Sequence, residues 1–266
     1  MNPGTQSLAD EPPGQASVAV TVRELRKTFP GVVAVDEVSF SVRVGEVFCL
    51  LGPNGAGKTT TVECLAGALT PDVGRIEVLG LDPARSRAQV RELVGYQLQA
   101  SVLPAALRVE EAVGLFASFY PAPIAVEELL RTVGLEDQRK RAFGKLSGGE
   151  KQRLSIALAL VGSPRIVVLD ELTTGLDPQG RRTVWHLIEQ IKARGVTIIL
   201  VSHYLDEVQR LADRLAIIAA GRTQFVGTPA ELRAAAAVRS DATQTLEDVY
   251  LTFLDTIGPS NAGRAA

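Results

Sequence analysis

Alternation of apolar and polar positions marks the first part of the chain. Val18, Val20 and Val22 alternate with polar neighbours in SVAVTVREL. Val38 to Val42 (VSFSV) repeats the pattern, and GRIEVLG, from Gly74 to Gly80, offers a third short run. A period of two means one face buried and one solvated, so the three runs predict a small antiparallel sheet. Other segments are apolar without a break: the end of GEVFCLL (45–51), IVVL in RIVVLDE (165–171), VTIILVS (196–202) and Leu215 to Ile218. Such runs predict parallel strands covered on both faces. VGYQL, ahead of Gln99, is strand-like as well.

Between the apolar runs the period lengthens to that of a helix. TTTVECLAGAL, from Thr59 to Leu69, is helix-like. VEELLRTVG places Leu129, Leu130 and Val133 on one face and stops at Gly134, a candidate C-terminal cap. Val184, Leu187, Ile188 and Ile191 form another apolar face. Leu246, Val249, Tyr250, Phe253, Leu254 and Ile257 form a third, which packs on its own core or meets a second copy. From Pro104 to Ala142 the chain reads as mainly helical, interrupted by Pro121 and Pro123. Helices interleaved with buried strands predict an α/β fold. Its core is a mostly parallel sheet, with a small antiparallel β subdomain and a helical subdomain inserted at about 100–160. Residues 1–17, polar and rich in Pro and Gly, read as a disordered leader. The main domain then spans 18–232, and 233–266 forms a helical extension with a frayed tail.

One stretch organises the rest. Gly52, Pro53, Asn54, Gly55, Ala56, Gly57, Lys58, Thr59 and Thr60 read G-x-x-x-x-G-K-T, the phosphate-binding loop of P-loop nucleotidases. Glycines let successive N–H groups turn inward on an anion, and the following helix adds the positive end of its dipole. Lys58 reaches β- and γ-phosphates, and the Thr59 hydroxyl ligates Mg²⁺. The strand before and the helix after are the context this motif requires.

Four further features carry chemistry. Asp170 and Glu171 close an apolar strand, where ligands of open α/β sheets bind. Asp170 is a candidate Mg²⁺ ligand, and Glu171 a candidate base for the water that attacks the γ-phosphate. His203 ends another apolar strand and can hydrogen-bond a γ-phosphate oxygen. In LSGGE, Ser147 and Glu150 have capping-box spacing, so Ser147, Gly148 and Gly149 sit at a helix N-terminus with free N–H groups, a second anion site. Asp177, followed by Pro178, is the N-cap of the next helix. Phe29, on a loop upstream of the phosphate site, either stacks on a base or packs as an ordinary aromatic. Gln99 reaches Mg²⁺ or the attacking water from its loop. His186 is a surface or core histidine.

Composition narrows the field. The chain has 266 residues, 46% hydrophobic, enough for one large or two small domains. Net charge is −2 with no basic stripe, which argues against nucleic acid as a partner. Cys49 and Cys64 flank the phosphate loop as core residues, and two thiols with two histidines give no metal-ligand cluster. No apolar run reaches the roughly 18 residues of a membrane helix, and the N-terminus has no signal-peptide pattern. The chain is therefore expected in the cytosol, with any membrane role requiring a partner.

With GPNGAGKTT, Gln99, LSGGE, Asp170–Glu171, GLD (175–177) and His203 in this order, the chain resembles the ATPase subunit of an ABC transporter from about Val18 to Leu232, and more loosely to Ile257. The resemblance implies ATP and Mg²⁺ as cofactors. It also implies a second copy of the chain packed head to tail, so that Ser147, Gly148 and Gly149 of one copy complete the phosphate loop of the other. Position by position, Phe29 matches the adenine-stacking aromatic, Gln99 the loop that senses Mg²⁺ and the membrane partner, Asp177 the loop crossing the interface, and His203 the γ-phosphate switch. Leu98 and Leu172 stand where Pro is common, and Phe29 where Tyr is. DELTTGLDPQ, SHYLDEVQRLADRLAII and LEDVYL resemble the branch of drug, antibiotic and lipid exporters that works with a separate six-helix integral-membrane permease. This branch implies a place on the cytoplasmic face of the membrane. An importer ATPase and a soluble ABC ATPase are the alternatives. The stretch from Gln99 to Ser147 is short and holds prolines, which leaves no room for a repair-type coiled coil.

Overall fold

The two strand patterns meet in one sheet. In a computed structural model of the chain, the described residues are 17–97, 103–236 and 245–257, so residues 1–16 of the leader, Gln99 and the final residues from 258 lie outside them. Long strands β1 (Val18–Phe29) and β2 (Val32–Arg43) form an antiparallel hairpin, and β4 (Val73–Val78) pairs with the outer edge of β1. The hairpin turns on Pro30 and Gly31. Proline presets its own φ, and Gly31 supplies the φ of 79° that a tight turn of this kind requires. Phe29 is therefore the last residue of a strand, paired with Val32, and not a loop residue as the sequence suggested.

The second part of the sheet is parallel. Strands β3 (Val47–Leu51), β5 (Val94–Gln97), β6 (Ile166–Asp170), β7 (Thr197–Ser202) and β8 (Arg214–Ala219) lie in the order β8-β3-β7-β6-β5. A further strand, β9 (Arg222–Gly227), runs antiparallel to β8 and meets β2 through the Glu37–Arg222 pairing. That junction is held by side chains too, since Arg222 pairs with Asp36 at 2.6 Å and Glu37 at 3.1 Å. The antiparallel hairpin and the parallel core thus form one nine-stranded sheet among the described residues, in the order β4-β1-β2-β9-β8-β3-β7-β6-β5. It curls strongly. Phe40 of β2 and Phe48 of β3 have two strands between them in that order, yet their rings stack with centroids 5.3 Å apart.

Burial follows the pleat. In β6, Val167 and Leu169 face one side while Ile166 and Val168 face the other, and all are fully buried. Helix α1 (Lys58–Leu65) packs Val62, Cys64 and Leu65 into the core enclosed by the curl. Against the other side lie α4 (Val126–Val133), α5 (Gly148–Leu160) and α6 (Pro178–Ala193). The apolar faces expected for α4 and α6 are the buried ones. Each large apolar side chain so buried contributes about 1.5–3 kcal/mol. Helix α4 ends where glycine was expected to end it: Gly134 is left-handed, φ 64°, and Leu135 N–H donates to Leu130 O at 2.9 Å, closing a Schellman motif.

The inserted segment adds α3 (Val109–Ala117) to α4 and α5. Its core is continuous with that of the sheet, because α5 lies against β5 and β6. Short helices α2 (Arg87–Leu93) and α7 (Leu205–Leu211) connect strands. At the end of the chain α8 (Pro229–Ala236) runs across position 232, so no break separates it from the domain there. Helix α9 (Leu246–Ile257) buries Leu246, Val249 and Tyr250 against α7 and α8, which answers the apolar stripe from within the chain. None of the described helices is long and apolar enough to cross a membrane.

Candidate functional site

Three neighbouring strands deliver the chemistry to one place. β3, β7 and β6 are adjacent and in register, with Leu51 opposite Ser202 and Asp170 opposite Val201. Their carboxyl ends therefore release Gly52, His203 and Glu171 side by side. That edge is where an open α/β sheet has room for a ligand, because the chain reverses there and leaves N–H groups unpaired.

The phosphate loop takes the shape its glycines allow. Gly52, at φ 157°, lies so close to the Ile218 carbonyl that a Cβ would overlap it. Gly57, at φ 97°, lies as close to the Ala34 carbonyl and is the N-cap of α1. No side chain caps α1, so its first-turn N–H groups remain available to an anion. Lys58 is buried and folds over the loop, donating to the carbonyls of Gly52 at 2.8 Å and Pro53 at 3.0 Å. Burial pulls its pKa down, while Glu171 and Asp170 hold it up. A buried ammonium with two backbone acceptors and two nearby carboxylates is prepared to exchange those carbonyls for phosphate oxygens.

A cleft of about 560 Å³ opens over the loop, lined by Asn54 to Thr60, Glu171 and one hairpin wall of Phe29, Val32, Val33 and Ala34. Phe29 is 40% exposed, with Lys27 Nζ 5.7 Å from its ring centre, and so presents aromatic surface at the mouth. Val32 and Val33, also exposed, extend that wall. The sequence reading did not single them out. The Pro30–Gly31 turn signal, which folds them back beside Phe29, would have found them.

Behind the loop sit the acids. The Thr59 hydroxyl lies 3.3 Å from Asp170 Oδ2, and Asp170 Oδ1 is buried with no hydrogen-bond partner among the described residues. Burial first, and the negative charge of Glu171 second, push the Asp170 carboxyl up to about 6. A buried carboxylate oxygen left without a hydrogen-bond partner is chemically suited to ligate a cation. The donors are one hydroxyl and one carboxylate, with no cluster of three or more His, Cys, Asp or Glu among the described residues. Such a sparse oxygen set fits Mg²⁺, which keeps waters and phosphate oxygens as its remaining ligands. Glu171 stands at φ 49°, a left-handed conformation rare for a side-chain-bearing residue, fixed by its N–H donating to Val201 O at 2.9 Å. Its Oε1 is 3.3 Å from His203 Nδ1.

The second expected anion site lies elsewhere. Ser147 Oγ accepts from Glu150 N–H at 3.2 Å, and Glu150 Oε2 accepts from Ser147 N–H at 2.7 Å, so the capping box is formed. That hydrogen bonding lowers the Glu150 pKa. Ser147 and Gly148 are exposed, and none of Ser147, Gly148 and Gly149 lines the cleft over the phosphate loop. A Cβ on Gly148 would lie 3.7 Å from Leu176, so this helix start adjoins the segment carrying Asp177. Asp177 is exposed as well and caps α6, accepting from Gly180 N–H at 2.6 Å.

Comparison with known proteins agrees with this geometry. The sequence profile of the ABC transporter family matches residues 35–174. The chain is 42% identical over 216 residues to the Nod factor export ATP-binding protein I of Burkholderia orbicola, covering 79% of this chain and 71% of that one. The protein of the same name from Mesorhizobium japonicum is 38% identical over 234 residues, covering 86% and 68%. A solved ATP-binding subunit of an ABC transporter superposes with a TM-score of 0.78 at 28% identity, covering 89% of this chain and 99% of that one. The cleft, the motifs and these relatives lead to one assignment: the chain belongs to the ABC transporter family, as an ATP-binding, ATP-hydrolysing subunit.

Proposed function

We propose that two copies of this chain close head to tail on ATP and drive export through a separate integral-membrane permease, at the cytoplasmic face of the membrane. The observation that carries the reading is the exposed start of α5, which holds N–H groups suited to an anion but stays out of the cleft of its own chain. Ser147, Gly148 and Gly149 are then offered to the γ-phosphate held by the other copy. Asp177, exposed beside them, meets that copy across the same surface. Export is suggested by the names of the relatives. The proposed cargo is a drug-, antibiotic- or lipid-like molecule.

Within each site the roles follow from chemistry. N–H groups from Gly52 to Thr60 bind the phosphates, and Lys58 neutralises the β- and γ-oxygens. Phe29 stacks on the adenine, a contact worth about 0.5–1.5 kcal/mol beyond its buried area. Thr59 and Asp170 would hold Mg²⁺, with Gln99, outside the described residues, as a third candidate; the bound ion supplies charge neutralisation at the phosphates. Glu171 takes a proton from water as it attacks the γ-phosphorus, and its left-handed backbone fixes where the carboxylate points. His203, beside Glu171, donates to a γ-phosphate oxygen.

The test is Glu171→Gln, which keeps shape and removes the base. Hydrolysis should fall by about 10²–10⁴-fold, with ATP still bound and the chain eluting as a dimer by light scattering. A variant that turns ATP over at the parent rate would overturn the role of Glu171. One that binds ATP yet stays monomeric would overturn the two-copy site.

A further inference from the structure

The Glu171–His203 pair leaves one question of geometry. His203 is exposed at the end of β7, where an imidazole has several staggered rotamers open to it. A group that must meet one phosphate oxygen has to be held. The contact to Glu171 at 3.3 Å is a single restraint. A second comes from its neighbour, because the His203 and Tyr204 rings lie 4.1 Å apart at 38°. The Tyr204 backbone is held at the strand end, its N–H donating to Ser202 Oγ at 3.0 Å.

The Tyr204 ring has another contact. The Arg181 guanidinium sits 4.7 Å from its centre, within cation–π range. Arg181 is also 3.6 Å from Asp206 across their charged ends. At that length the pair is weak, with Asp206 exposed and Arg181 half-buried, and it does not explain the placement over a ring. Arg181 Nε is buried without a hydrogen-bond partner among the described residues, so hydrogen bonding at that nitrogen does not explain it either. The backbone N–H of Arg181 donates to Asp177 O at 3.0 Å, the first closed turn of α6. Arg181 is therefore joined to Asp177 through the backbone of the first turn.

We infer that Arg181 and Tyr204 are positioning residues that tie the orientation of His203 to the first turn of α6. The inference rests on the roles given above to His203 and Asp177 and adds a regulation of that same site. A contact made at Asp177 by the second copy shifts the first turn of α6. Arg181 carries that shift to the Tyr204 ring, and the ring resets His203. The contact with γ-phosphate then depends on whether the two copies have met.

Tyr204→Ala, Tyr204→Phe, Arg181→Ala and His203→Ala, made in the full chain, test this with kcat, affinity for a fluorescent ATP analogue and melting temperature. Tyr204→Ala and Arg181→Ala should each lose roughly 10- to 100-fold in kcat, the scale of a misplaced group, at unchanged nucleotide affinity. Tyr204→Phe should restore the parent kcat, because the ring and not the hydroxyl makes both contacts. Parent kcat in Tyr204→Ala and Arg181→Ala, alongside an inactive His203→Ala, overturns the inference and leaves the role of His203 standing. A His203→Ala protein at the parent rate overturns that role and this inference with it. If Tyr204→Ala does not fold, Arg181→Ala, on the half-buried first turn of α6, decides the matter alone.

Discussion

Two helix starts in this molecule use glycine to present N–H groups, and they differ in what surrounds them. At α1, Gly57 caps with no side chain, buried Lys58 covers the loop, and a hairpin wall closes one side. At α5, Ser147 and Glu150 cap each other, Arg141 pairs with Glu150 at 3.4 Å, and the exposed helix start lies outside the cleft over the phosphate loop. The first is built to hold a polyphosphate unaided. The second can contribute to one only when another surface brings the charge to it. On the proposed two-copy reading, the same backbone chemistry serves as a site in one place and as half of an interface in the other.

The comparison can be broken first at the lysine. Lys58→Ala should weaken a fluorescent ATP analogue by about 10- to 100-fold, the worth of hydrogen bonds to a charged group. Unchanged binding would mean that α1 is no more complete a site than α5.

Asp170 sharpens the contrast through pH. Its carboxyl is raised to about 6 from 3.8 in the folded chain. The folded state therefore keeps this proton to higher pH than the unfolded state does. Stability is fullest below the unfolded value and is lost as pH rises through the folded one. Without nucleotide, Asp170→Asn should gain on the order of 2 kcal/mol near pH 7, and the gap should close near pH 4. Mg²⁺ with ATP should raise the melting temperature of the parent more than that of the variant. Equal melting curves across this range would remove the argument for a cation behind the loop.

The smallest effect is expected at the wall. Phe29→Ala should weaken nucleotide binding by about 2- to 10-fold, and Phe29→Tyr should match the parent. A loss of kcat without a loss of affinity would show that Phe29 acts on something other than the base.

Much of the α1 site was legible in the sequence because each part needs a particular residue type at a fixed distance. Glycines at 52, 55 and 57, Lys58, and two acids ending an apolar run leave few alternatives. The capping box at Ser147 was legible for the same reason. Strand order was not, since local periodicity says nothing of which strand lies beside which. β9 was missed because RTQFVG alternates poorly, and its place is set by pairing with β8 and by Arg222 on Asp36 and Glu37. Phe29 reads as a loop residue in the sequence because the alternation fades ahead of Pro30–Gly31, and only the pairing of Phe29 with Val32 extends β1 to it. The Arg181–Tyr204 contact joins two elements that touch only after folding.

The two helix starts can be tested against each other in a single mixture. Lys58→Ala disables the loop half of each site, and Ser147→Arg blocks the α5 half with a bulky cation. Each variant alone should hydrolyse almost no ATP. In a head-to-tail pair of the two, one site joins both defects and the other joins both intact halves. Mixing the purified variants should therefore restore a substantial part of the parent ATPase rate. A mixture no more active than its separate components would contradict the claim that α5 of one copy completes the phosphate loop of the other.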